Sequence, residues 1–143
     1  MSSDVIDHLK SLHTGAVDAR HGYEEALNDA DGRGMTPLFR DMIALHERNA
    51  TELAAQLRAA GEQANDDGSF MSTVHRTIMS VRGLFGGLGE SVVPGLIDGE
   101  KRNVSSYDDA LKINGLPADT RLLLTQQRER LQAAIDSMQV PVH

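Results

Sequence analysis

Apolar residues recur along this sequence at alternating steps of four and three, the spacing that lines one face of an α-helix. In one stretch a step lands on a carboxylate. From Val92 to Leu111 the stripe is Val93, Ile97, Val104, Tyr107 and Leu111, and the position left over is Glu100. A carboxylate at mid-height on the buried face of a long helix is costly unless something pairs with it. What meets Glu100 is the question the rest of the chain must answer.

The same spacing appears in three other long stretches. Ser2 and Ser3 offer an N-cap, and Val5, Leu9, Leu12, Ala16, Ala19, Tyr23 and Ala26 follow before the turn-forming run NDADGRG. Thr36-Pro37 starts a second helix with Phe39, Ile43, His46, Ala50, Leu53 and Leu57 on its stripe, closed by Gly61. Pro117 opens a last helix with Thr120, Leu124, Gln127, Leu131, Ala134 and Met138, after a stop at Asn114-Gly115. A shorter helix is predicted from about Ser69 to Phe85, carrying Phe70, Val74, Ile78, Val81 and Phe85 on one face with Met71 and Met79 beside it.

Two helical hairpins with short internal joins and one long crossover between them describe the ferritin-like variant of the four-helix bundle. The fold class expected is therefore all-α, a ferritin-like four-helix bundle of two antiparallel helical hairpins with an extra short helix in the long crossover. The 143 residues fit a single domain, 1–143. Tyr23-Glu24-Glu25-Ala26-Leu27 ends the first long helix and Tyr107-Asp108-Asp109-Ala110-Leu111 ends the third. Each precedes a Gly-containing turn and a Pro-led helix, as two hairpins related by a pseudo-two-fold axis would show.

Some stretches also carry a resemblance. They are Gly22-Tyr23, Leu53-Ala54-Ala55-Gln56-Leu57 leading to Gly61, Ser69 with Val74-His75-Arg76, Gly99-Glu100 with Tyr107 and Ala110-Leu111, and Leu116-Pro117-Ala118-Asp119 with Arg121 and Gln127. In this order and spacing the chain resembles a bacterial family of ferritin-like four-helix-bundle proteins classed as a domain of unknown function. The resemblance implies the fold and carries no established reaction with it.

Ferritin-like di-metal proteins place a Glu on each of two helices and Glu-x-x-His on each of the other two. Here Glu100 lies seven residues before Tyr107, while Ala16 lies seven before Tyr23; Glu47 is followed three residues on by Ala50, and Gln127 by Arg130. Both Glu-x-x-His motifs are absent. The polar residues on the stripes are His46, Glu100 and Gln127, expected at similar height. One reading is a mononuclear metal site for Fe, Mn or Zn with water completing the shell. The other is a buried hydrogen-bonded network in which His46 donates to Glu100, Gln127 satisfies what is left, and Arg102 or Arg130 swings in from the flanks. A single carboxylate makes a poor metal trap, which favours the network.

Other polar residues get blander readings. Tyr23 and Tyr107 are expected in the core with hydroxyls reaching polar partners. His8, His13 and His21 lie off the first stripe and read as surface; Asp18 lies well off it too, within reach of a partner on a neighbouring helix, and is assigned no chemistry.

The absence of Cys excludes disulfides and thiolate chemistry, and a net charge of -7 argues against nucleic-acid binding. No apolar run reaches the ~20 residues of a membrane span and no secretory signal is evident, so no membrane association and a cytoplasmic location are expected. No resident cofactor is expected. The function expected is that of a non-enzymatic bacterial protein, stress-related or scaffolding, acting through protein contacts, with a homodimer contact through Phe70, Val74, Ile78, Val81 and Phe85. The alternative is a degenerate ferritin-like metal protein binding one ion, with oxidase or metal-handling chemistry. A third class, a ligand pocket between helices, draws on the small residues Ala16, Ala19 and Ala50.

Overall fold

A computed structural model of the chain describes residues 2–30, 36–62 and 93–139. These form four helices: α1 (Ser3–Ala30), α2 (Thr36–Ala59), α3 (Val93–Leu111) and α4 (Ala118–Gln139). Among the described residues there is no strand, and no helix is long and apolar enough to cross a membrane.

The helix ends follow from local chemistry. At the start of α1 the Ser2 hydroxyl accepts the Val5 amide at 3.3 Å and the Ser2 carbonyl accepts the Ile6 amide, satisfying donors that a helix N-terminus leaves open. α1 then runs through Asn28 and Asp29 to Ala30, further than the run NDADGRG suggests. Asn and Asp cost only about 0.7 kcal/mol each in a helix, too little to stop one before its last turn. α2 ends in a Schellman motif: Gly61, at φ +83°, donates to the Arg58 carbonyl while Glu62 donates to that of Leu57. Pro117 accepts the first helical bond of α4 from Arg121, whose guanidinium also reaches back to the Leu111 carbonyl at the end of α3.

The four helices pack as a bundle. α1 pairs with α2 and α3 with α4, and the two pairs meet α1 against α3 and α2 against α4. One apolar cluster joins Val5, Leu9, Leu53, Leu57, Tyr107, Ala110 and Leu124; a second joins Tyr23, Ala26, Phe39, Met42 and Leu96. The start of α1 thus lies beside the ends of α2 and α3, so both run opposite to α1 and parallel to each other. The chain leaves α2 at one end of the bundle and enters α3 at the other.

Every stripe position of the four long helices is buried or half-buried. The buried surface is wider than the stripes, however. Val17, Met42, Asn49, Ala54, Leu96, Ala110 and Ile135 are covered too, because each helix touches two neighbours rather than one. The same width corrects one reading on α1: His13, expected at the surface, is 2% exposed; Asp18, off the stripe, is covered as well at 6%. The short helix predicted near 69–85 and its dimer face of Phe70, Val74, Ile78, Val81 and Phe85 lie outside the described residues.

Candidate functional site

Glu100 is 3% exposed, and it meets three side chains. Nε2 of His46, from α2, lies 2.9 Å from Oε1. The Tyr23 hydroxyl, from α1, donates to the same oxygen at 3.0 Å, and Asn103, one turn along α3, donates to Oε2 at 3.4 Å. Burial alone would push the Glu100 carboxyl up. The His46 charge and hydrogen bond, with the bonds from Asn103 and Tyr23, outweigh it and hold the group below the ordinary carboxylate range. An ionised carboxylate only accepts, so Nε2 carries the proton that His46 donates. The ring is held from the side by Tyr23, stacked at 5.9 Å, which in turn tilts against Phe39 at 6.2 Å.

Gln127 makes a second node. Its Oε1 accepts the Tyr107 hydroxyl at 2.7 Å, and its Nε2 donates to the Asn49 carbonyl at 3.2 Å and to Glu52 Oε1 at 3.1 Å. Arg130 clamps Glu52 through both guanidinium ends, at 2.5 and 3.3 Å, and reaches Asn49 Oδ1 at 3.0 Å. Burial raises the Glu52 carboxyl, but Arg130 and Gln127 lower it further and leave it below the usual range. Both tyrosine hydroxyls are pushed up, first by burial and, for Tyr23, next by the Glu100 charge. They remain donors at any physiological pH.

The structure therefore brings His46 and Glu100 together and sets Gln127 apart from them. Among the described residues Gln127 bonds to neither; its contacts lie about one turn along α2, at Asn49 rather than His46. The two nodes together touch all four helices. Of the flanking arginines, Arg130 joins the network, while Arg102 is exposed. The residues that the stripes did not point to are Asn49, Glu52 and Asn103. Asn49 carried a signal, since it stands one turn after His46 and next to Ala50.

Among the described residues no three His, Asp or Glu side chains gather in a way that would hold a metal ion. A cleft of ≈ 50 Å³ opens beside the network between α1 and α3, lined by Ser11, Leu12, Gly15, Ala16, His46, Asn103, Ser106, Tyr107 and Leu131. A glycine inside a helix costs about 1 kcal/mol relative to alanine. Nothing lies within 4 Å of a Cβ built on Gly15, so close packing does not require it there.

The family model described as Domain of unknown function (DUF2383) matches residues 4–113, more than three quarters of the chain. The chain belongs to this family. The match takes in α1, α2 and α3 with the whole Tyr23–Glu100–His46 node, and it ends before α4, which supplies Gln127 and Arg130. No curated protein and no solved structure matches the chain.

Proposed function

We propose that this DUF2383 protein is non-enzymatic, that its buried polar network fixes the register of the four helices, and that it acts through contacts with other proteins. The observation that carries the reading is the commitment of the Glu100 carboxylate. Both of its oxygens are taken by side chains of the chain itself, from three helices. Polar groups at core positions favour the one register in which they find partners, a role attested for buried polar residues in coiled coils. Under this reading the bundle is a ferritin-like one in the bacterial cytoplasm. Its support is the parallel run of α2 and α3, which puts the ends joined by residues 63–92 at opposite ends of the bundle. A homodimer contact through Phe70, Val74, Ile78, Val81 and Phe85 belongs to the same proposal.

The alternative is a single Fe, Mn or Zn ion on His46, Glu100 and Gln127. The donor set fits it poorly: one carboxylate, an imidazole whose Nε2 is engaged, and an amide oxygen held by Tyr107 a turn away. Elemental analysis separates the two readings, using protein purified without chelator or affinity tag and then dialysed with each metal in turn. The structural reading predicts substoichiometric metal that His46→Ala and Glu100→Ala leave unchanged. Near-stoichiometric metal lost in both variants would overturn it.

A further inference from the structure

We propose that the cleft between α1 and α3 binds a small uncharged molecule that both donates and accepts hydrogen bonds, of the carboxamide or urea class, against the edge of the His46 ring.

The lining sets the chemistry. Leu12, Ala16, Leu131 and the Tyr107 ring give apolar walls, and Ser11, Asn103, Ser106 and His46 bring polar groups into them. Apolar walls with a few convergent polar groups are the usual make-up of a small-molecule site. Among the described residues no Lys, Arg, Asp or Glu lines the cleft, so none of them offers an anion or a cation a counter-charge there. Glu100, paired with His46 at 2.9 Å, is not among the lining residues either. The Ser106 hydroxyl gives its proton to the Arg102 carbonyl and Asn103 gives one of its two to Glu100, which leaves acceptor oxygens on both, with the Ser11 hydroxyl and the second Asn103 proton as donors, and so favours a ligand that both donates and accepts.

His46 supplies the second, independent observation. Its side chain is 3% exposed and lines the cleft, yet no hydrogen bond among the described residues uses its Nδ1. With Nε2 fixed on Glu100 and the ring stacked on Tyr23, the imidazole is pre-oriented rather than free to turn. The repeat explains why there is space at all. Ala16 stands at the position that corresponds to Glu100 in the other hairpin, so this side has a methyl where its mate has a carboxylate. Gly15, with open space where a side chain would go, widens the mouth. On this measure one water needs about 10–15 Å³, so the cleft takes about four waters or a ligand of about four non-hydrogen atoms.

The test uses acetamide as the probe, titrated into isotope-labelled protein while the Gly15 amide, the Asn103 side-chain amide and the His46 ring signals are followed. Acetate and methylammonium are the charged counterparts. The expected result is saturable shifts at all three places with acetamide alone, lost in Ala16→Leu, which fills the cleft. Ser106→Leu narrows the mouth from the exposed side of α3 and serves where Ala16→Leu does not fold. Shifts that never saturate, saturable shifts that survive in a folded blocking variant, or equal binding of a charged probe would overturn the proposal.

Discussion

Tyr23 and Tyr107 sit in the same five-residue pattern in the C-terminal parts of α1 and α3, and both are buried, yet their hydroxyls do different things. Tyr23 donates across the bundle to an ionised carboxylate on the other hairpin. Tyr107 donates within its own hairpin to the neutral amide of Gln127. The difference traces to one position seven residues upstream, Glu100 before Tyr107 and Ala16 before Tyr23. The repeat places two backbones alike, and single side chains then decide where charge is buried. One node has its acid–base pair, His46 and Glu100, in the core, with both partners at 3% exposure. The other keeps its ion pair, Glu52–Arg130, half-buried at the rim, at 29% and 22%. Only the first lies wholly within the stretch matched by the family model.

Breaking the charged node gives the largest expected effect. His46→Ala strands a buried carboxylate and costs about 3–5 kcal/mol in urea unfolding, while Glu100→Gln, which keeps the shape and removes the charge, costs less. The two tyrosines sharpen the contrast. Tyr23→Phe removes a bond to a charged acceptor and costs roughly 1.5–3 kcal/mol, while Tyr107→Phe removes a neutral one and costs about 0.5–1.5 kcal/mol. Equal losses would mean that burying the charge in one node makes no difference.

The carboxylates also differ in how they respond to acid. Glu100 is held below its ordinary value, so the stability it contributes is present above about pH 4.5 and is lost as pH falls through its folded value. Asp18 has the opposite sign. Burial raises it from 3.8 to about 6, and its Oδ1 makes no hydrogen bond. What it contributes is present below pH 3.8 and lost as pH rises through about 6. Asp18→Asn should therefore stabilise the protein at pH 7, on the order of 1 kcal/mol after allowing for solvent screening, and flatten unfolding curves between pH 4 and 6. The smallest effect is expected at the rim: Arg130→Ala, opening a half-buried pair, costs about 0.5–1 kcal/mol and becomes smaller in high salt.

Much of this arrangement could be read from spacing. Glu100 stood out because a carboxylate broke an apolar stripe, and His46 because it stood on the facing one. What spacing could not give was depth. A stripe of fours and threes is a line, whereas a bundle helix wedged between two neighbours buries a band, so His13, Asn49 and Leu96 were covered although they fall beside the line. Height was the other gap. Gln127 is near the middle of α4, as His46 is near the middle of α2, but the offset between hairpins depends on where each turn ends, and Gln127 comes to rest at Asn49. Arg130 was legible as a flanking donor, but its partner Glu52 was not, because exposed-looking charges on two helices pair only once that offset is known.

In the charged node His46 and Glu100 stabilise each other directly, at 2.9 Å. A double-mutant cycle of His46→Ala and Glu100→Ala, measured by urea unfolding with a chelator present, tests it. The double variant is expected to be less destabilised than the sum of the singles, by about 2 kcal/mol or more, with no change when the chelator is replaced by iron, manganese or zinc. Additive losses in chelator, with coupling that appears only when metal is added, would contradict it.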